Sequence, residues 1–438
     1  MHFIIHVMIA MVFLCISFTS SSAETFSTEI SETQVSETPA ISDFIVRAYH
    51  GNPSIQAARE NWKAAVENYR LATGYPDPQV MLTYFPQPIE TRLGPQDWNA
   101  SISQMIPFPG KLSKAGEVAK ADVRIARLNL DKTVRDITVS IFESVHELIY
   151  IRKAKQIAAQ NTELLDHLRK TAETAYARDR AAFVDVVKAQ SQTAQLRYDT
   201  LLLDELEKTE ITKLNGLLNR PPDSPVGGLE KIRFQPLVYE LEDIYRLAEE
   251  GQEEIKMAEV KVAKAKAKAD LAVYQNMPNF KMGIFYAGIG NPDVSKPPDD
   301  AGQDAVGVQF GMSIPLWAGK NSGRIELAKA QTEKSKAEKN NRIIKTRTNI
   351  RNLFFRLQNA RRLITLYRDE MLPQAAGALE TAETWFRQEQ GSFSDFSETQ
   401  SVLYNFQLSL ARAYADYGKY LARLEKLAGR SLTEKEEK

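Results

Sequence analysis

Apolar and polar residues alternate along this chain with two periods in a fixed order, and that order occurs twice. A helical pattern over 42–73 stops at Gly74-Tyr-Pro-Asp-Pro78, where two prolines deny continuation. Period-two segments follow at Gln79–Phe85 and Trp98–Ile106. In the second, Trp98, Ala100, Ile102 and Ile106 share one face and Asn99, Ser101 and Ser103 the other. A long helical segment then runs from about Leu112 to about Arg178, with a return from Phe183 to about Leu218. The second half repeats this plan. A helix over 252–275 ends at Met277-Pro278, strands follow at Phe280–Ala287 and Ala305–Ile314, and helices follow from Asn321 to about Gln388 and from Phe393 to about Leu427. The phrases Ile-Pro-Phe-Pro-Gly-Lys (106–111) and Ile-Pro-Leu-Trp-Ala-Gly-Lys (314–320) mark the same junction in both copies. Pro107, Pro109 and Pro315 end the ladder, and Gly110 and Gly319 open the descent. The organisation expected is a first repeat over 42–219, a linker over 220–240, a second repeat over 241–430 and a charged tail over 431–438.

The strands carry the strongest message. Val306, Val308, Phe310, Met312 and Ile314 face one way, with Gly307, Gln309, Gly311 and Ser313 opposite. Small and polar residues behind a continuous apolar face suit a membrane barrel, with lipid outside and water inside. Segments of this length cross a bilayer obliquely. Four strands cannot close, since a filled barrel takes about eight, and an open edge is not tolerated in lipid, so copies of the chain must share one barrel. Two soluble hairpins capping a helical bundle stay open as a second reading.

The long helices show heptad spacing. Ile343, Ile350, Leu357, Ile364 and Met371 recur every seven residues, and Leu130, Val134, Ile137, Ile141, Val145 and Leu148 by threes and fours. At 1.5 Å per residue the segment 112–178 spans roughly 100 Å and its return only roughly 54 Å. The shortfall is about the length of helix 42–73, roughly 48 Å, so the short helix above and the return below together match the long helix beside them. Pro373 predicts a kink in the second long helix.

Charge adds little direction: Lys+Arg 56 against Asp+Glu 56 gives zero net charge, and the charges lie in helical stripes, which disfavours nucleic acid as a partner. Residues 1–23 lack Lys, Arg, Asp and Glu, are apolar from Phe3 to Phe18 and end Ser-Ser-Ala, the pattern of a secretory signal cleaved near Ala23. The single cysteine, Cys15, lies inside it, so the mature chain carries no thiol. Residues 24–41 read as a disordered lead-in. Catalytic patterns are missing: Glu143-x-x-His146 is half of a di-iron motif without a second copy, His50 and His167 are isolated, and no nucleophile elbow or phosphate loop occurs. The expectation is a non-enzyme without cofactor or metal site.

The paired junction phrases, the segments 176–190 and 385–400, and the closing Ala-Arg-Ala-Tyr-Ala-Asp-Tyr-Gly-Lys-Tyr-Leu together resemble the TolC-type outer membrane efflux family, in its branch serving heavy-metal and related pumps. The resemblance covers about residues 42–430. It implies a mainly α fold with a small β part: a homotrimer whose four strands per chain make one twelve-stranded barrel in the Gram-negative outer membrane, above a periplasmic tunnel of helices. It further implies an exit duct for small solutes such as metal ions or drugs, opened at the helical tips by a periplasmic adaptor linked to an inner-membrane pump. Carried onto this sequence, Asp185, Asp395 and Glu398 become the tunnel-entrance carboxylates, and Arg178, Asp179, Arg180, Gln390 and Gly391 the adaptor-contacting tips. Asp179 and Glu389 stand where relatives have a turn glycine, which shifts the second turn toward Gly391. Two rivals remain: an exported periplasmic coiled-coil scaffold that never enters the membrane, and a duct for polypeptides in type I secretion.

Overall fold

The computed structural model describes residues 40–178, 182–229, 234–388 and 390–434. The segment read as a signal, the lead-in as far as residue 39, Asp179, Arg180, Glu389 and the end of the charged tail lie outside them. In chain order the elements are α1 (Ile41–Gly51), α2 (Pro53–Thr73), β1 (Gln79–Thr91), β2 (Gly94–Ile106), α3 (Lys111–Tyr176), α4 (Phe183–Leu217), α5 (Leu241–Gly251) and α6 (Glu253–Gln275). They continue with β3 (Phe280–Ile289), β4 (Ala305–Met312), α7 (Ala318–Leu366), a π-helical turn (Tyr367–Met371), α8 (Leu372–Arg387) and α9 (Phe393–Ala428). The fold is mainly helical with one small antiparallel sheet, in the order β1-β2-β3-β4.

Most elements fall where periodicity puts them, and the exceptions have local causes. The first helix breaks at Asn52, whose side chain accepts from the amides of Ser54 (2.9 Å) and Ile55, with Pro53 opening α2. Asn52 Nδ2 also donates to the Leu217 carbonyl at 2.9 Å, so the end of α4 abuts the α1–α2 joint. The second repeat builds the same joint at Gln252, which caps α5 and accepts from Thr346 Oγ1 at 3.0 Å while α9 ends against it at Gly429. Gly429 has φ 79°, and a β-carbon there would fall 2.7 Å from the Gly251 backbone, so glycine is required. The end-to-end stacking expected from helix lengths is therefore present, with an extra break in each short helix.

The first hairpin is longer than its alternation suggests, because β1 and β2 continue past Phe85 to a tight turn at 92–93. Its register slips between Tyr84 and Ile89, where Pro86 and Pro88 withhold ladder donors. Before Pro373 the helix widens into the π turn: the Leu372 amide reaches the Tyr367 carbonyl, five residues back, which makes room for the proline ring. The described parts of the linker are docked on the wall, with Arg152 holding the carbonyls of Gly227 (2.7 Å) and Val226 (2.8 Å) and Phe234 lying against Tyr417. Leu432, within the segment read as a charged tail, is fully buried, and its amide donates to Glu425 at 2.8 Å.

The helices form a wall rather than a closed bundle. Toward the sheet, α2, α3, α6 and α7 pack in that order; toward the tips, the order is α4, α3, α9 and then α7 with α8. Among the described residues four apolar clusters run along it, the largest joining Ile244, Ile350, Leu357, Ile364, Tyr417 and Leu424. The wall therefore has two bare flanks: α2 and α4 beside β1 on one side, α7 and α8 beside β4 on the other.

Candidate channel wall and tunnel tips

Register sorts the sheet into two chemistries. Val80, Ile102, Ile284 and Val308 lie in one cross-strand row, Leu82, Ala100, Tyr286 and Val306 in the next, and Met282 and Phe310 beyond, all on one face. That face is bare, with Val308 63% and Phe310 75% exposed. Ser101, Ser103, Gly283, Gly307, Gln309 and Gly311 occupy the opposite face, with Met81 and Phe285 as its large apolar members. Gly307 is cramped, since a side chain there would run into the Phe285 ring across the strand pair. A sheet with most of its large apolar residues on a bare face is inverted relative to a soluble one. The β1 and β4 edges carry unpaired backbone groups.

Beyond the sheet, a loop from Gly290 folds back over the first hairpin. Gly302 N–H donates to the Leu93 carbonyl and Gly290 N–H to the Pro95 carbonyl, both at 2.7 Å, and Arg92 pairs with Asp300 at 2.9 Å.

The two junction phrases are built differently. Gly110 has φ 90° and lies under the Tyr274 ring, while Lys111 Nζ donates to Asn279 Oδ1 at 2.7 Å, joining the first junction to the second repeat. Gly319 meets nothing, and Leu316 and Trp317 beside it are bare, because this junction opens α7 on the flank of the wall. Pro315 accepts a hydrogen bond from Asn321 Nδ2 at 2.9 Å.

At the tips the expected residues are brought near one another, with unequal roles. Phe393 and Phe396 of α9 pack with Val186, Ala189 and Leu196 of α4 and with Leu165 and Leu168 of α3. Lys188 Nζ donates to Ser394 Oγ at 3.1 Å, and Ser397 Oγ to Gln192 Oε1 at 2.7 Å, so the two tips are tied. Asp395 closes a capping box: its amide donates to Ser392 Oγ at 3.1 Å and its carboxylate accepts from the Ser392 amide at 3.4 Å. Asp185 occupies the matching third position of α4, but the cap residue is Ala182 and supplies no side-chain acceptor. Glu398 and Arg178 are exposed. Gln390 and Gly391 both donate their amides to the Trp385 carbonyl, at 2.9 and 3.1 Å, and Gly391 is not left-handed, so the second turn closes on Trp385 without needing glycine's freedom.

Sequence reasoning missed the ionic seam between α3 and α9, whose partners are far apart in the chain. Glu147 faces Arg412 (2.9 Å) and Lys419, Glu143 faces Arg423, and Asp136 takes both Lys132 and Lys426 at 2.7 Å. Burial raises the Asp136 carboxyl, but the two lysines prevail and hold it below its usual range. His146 lies in this seam, 8% exposed, over Gly418, where any side chain would run into the imidazole. Burial, aided by the nearby Lys419, pushes its pKa down to about 4, so it is a packed neutral histidine. Among the described residues no cluster of three His, Cys, Asp or Glu is arranged to hold a metal ion, and no helix is long and apolar enough to cross a membrane.

Residues 244–430 match the family model described as outer membrane efflux protein. That span is the second repeat, with its strands, edge helices and tip. The whole fold resembles outer membrane proteins of known structure. VceC of Vibrio cholerae superposes with a TM-score of 0.74 at 17% identity, covering 90% of this chain and 96% of that one. The channel CusC gives 0.74 at 14%, covering 89% and 92%. The CmeC outer membrane channel of Campylobacter jejuni gives 0.71 at 11%, covering 90% and 87%. No curated protein matches.

Proposed function

We propose that three copies of this chain close head to tail into one duct, a twelve-stranded barrel in the Gram-negative outer membrane above a periplasmic helical tunnel. It passes small solutes, metal ions or drugs among them, from an adaptor and inner-membrane pump to the exterior. The observation that carries this reading is the wall with two bare flanks, crowned by a sheet whose apolar face is bare. A head-to-tail interface joins unlike flanks and closes into a ring when the rotation fits, and closure removes the β1 and β4 edges in the same stroke. The outer-membrane channel fold and the family match over the second repeat support it.

In this duct the chain has no reaction to perform. Ser101, Ser103, Gly283, Gly307 and Gln309, beside Met81 and Phe285, line the barrel with mainly small or polar groups that leave the bore wet. At the far end the exposed Asp395 and Glu398, with half-buried Asp185, repeated around the axis, give the entrance a field that favours cations. The scaffold alternative offers no use for thirteen-residue strands with an apolar outer face. The test is single-channel recording in a planar bilayer. Discrete steps, with cation preference reduced in the Asp395→Ala/Glu398→Ala double variant, support the duct; a purified trimer that gives no conductance in any adaptor-free or voltage-biased condition sinks it.

A further inference from the structure

Resting on the ring just proposed, the two flanks of the wall reveal how neighbouring copies meet. Along α7 the buried residues Ile350, Leu357 and Ile364 face α9, which leaves Ile344, Arg351, Phe355, Arg362 and Leu366 on the opposite, bare side. On α4, Val186, Ala189, Thr193, Leu196 and Leu214 face inward, and Tyr198, Leu201, Leu202 and Glu205 face out. Both ridges carry large apolar residues in the open, Phe355 at 60% and Leu201 at 65% exposure, more than a finished surface shows in one row.

Their charges are opposite. From 342 to its end at 366, α7 holds Arg342, Lys345, Arg347, Arg351, Arg356, Arg361 and Arg362 and no Asp or Glu. From 199 to 210, α4 holds Asp199, Asp204, Glu205, Glu207 and Glu210 against Lys208 alone; Asp204 and Glu207 are paired with Lys155 and Arg152 of α3 and Glu210 with Lys213, which leaves Asp199 and Glu205 as the acidic groups of the ridge. Arg342 and Arg347 are held by Glu254 (2.9 Å) and Glu249 (2.6 Å), but Arg351 and Arg362 have no carboxylate partner among the described residues. Glu205 is held only by Lys208, three residues on and solvent-exposed, a weak pairing.

Height along the wall then fixes the register, because a rotation about the tunnel axis shifts nothing along it. Glu207 of α4 lies level with Arg152 of α3 at 2.8 Å, so Thr209 lies level with Tyr150. Tyr150 stacks under Arg412 of α9 at 4.9 Å. Phe406 of α9 meets Tyr367 at 5.7 Å, and since α9 and α7 run antiparallel, six residues on to Arg412 correspond to six back, at Arg361. Arg361 and Arg362 are thus level with about Thr209, one helical turn or roughly 6 Å from Glu205 and within an arginine's reach. Leu366 and Leu202 follow on the tip side of each charge.

We propose that a second copy of this chain covers each flank, with Arg362 of one protomer paired to Glu205 of the next and Leu366 packed on Leu202, an electrostatically keyed seam that sets the register of the ring. The test uses the full chain carrying both Leu202→Cys and Leu366→Cys, with each single variant as a control for Cys15. Oxidised and run without reductant, the double variant is expected as a covalent trimer and the singles as monomers. A protein that is trimeric by native mass yet does not cross-link overturns this register while leaving the ring intact, and points to another occupant of the flank; a monomeric protein overturns the ring itself. Arg362→Glu is expected to lower the temperature of trimer dissociation, with Glu205→Arg added in the same chain restoring at least half the loss. No recovery in the double variant also overturns the pairing.

Discussion

The two long helices repeat one sequence plan in unlike surroundings. α3 runs unbroken for 66 residues with neighbours on both flanks: α2 and α4 on one side, α6 and α9 on the other. Its counterpart is divided into α7, a π turn and α8, and is covered on one flank only. The return helices differ in the same sense: α9 is clamped by the ionic seam to α3, while α4 keeps a bare ridge of Tyr198, Leu201 and Leu202. A repeat in one chain therefore does not give two equal halves. It gives one interior pair and one pair of edges, and the edges are where a protein that closes by copying itself has to leave apolar surface uncovered.

The sharpest way to break this contrast is on the sheet, where the two faces should tolerate opposite changes. Val308→Arg puts a charge on the bare apolar face at a cost of about 2–4 kcal/mol in mid-bilayer, and little protein should reach the membrane fraction. Ser101→Arg, on the opposite face, should insert normally and alter conductance. Equal loss from both would return the sheet to a soluble cap.

Within the wall, interior and edge should differ at matched glycines. Gly418→Leu drives a side chain into the His146 ring and should cost about 3 kcal/mol in unfolding measurements, the upper end for overpacking. Gly216→Ala on α4, where a β-carbon meets nothing, should leave stability unchanged or slightly raised.

The seam also predicts a pH dependence. His146 is protonated at about pH 4 when folded and at about 6.5 when unfolded, so between those values the unfolded chain holds more protons. Its contribution to stability is full above pH 6.5 and is lost as pH falls toward 4. His146→Gln should flatten the denaturant midpoint across that window, and an unchanged slope would assign the effect to other groups. The smallest contrast lies at the tips. Asp395→Ala breaks a capping box and should cost about 1 kcal/mol, while Asp185→Ala, whose cap lacks a side-chain acceptor, should cost only about 0.3 kcal/mol.

Much of this was legible in the chain because it depends on local period. The alternation in 305–314 is visible without a partner strand, and Pro373 announces an interruption whatever lies beside it. Helix lengths were enough to predict the stacking of α2 over α4. The breaks at Gly51-Asn52 and Gly251-Gln252 went unread: Asn52 before Pro53 is a local cap signal inside a continuous helical pattern, but what the break is for, the meeting with the end of α4, shows only in the bond from Asn52 Nδ2 to the Leu217 carbonyl 165 residues away. The role of His146 was hidden for the same reason, since the space for its ring is supplied by Gly418. Among the carboxylates, Asp395 is recognisable as a cap from Ser392 three residues before it, whereas nothing local distinguishes Glu398.

The ring depends on two bare flanks finding each other. Native mass spectrometry of the protein extracted from outer membranes in mild detergent measures this directly. Three copies in one complex is the predicted result; a single chain that stays in solution without detergent would contradict it.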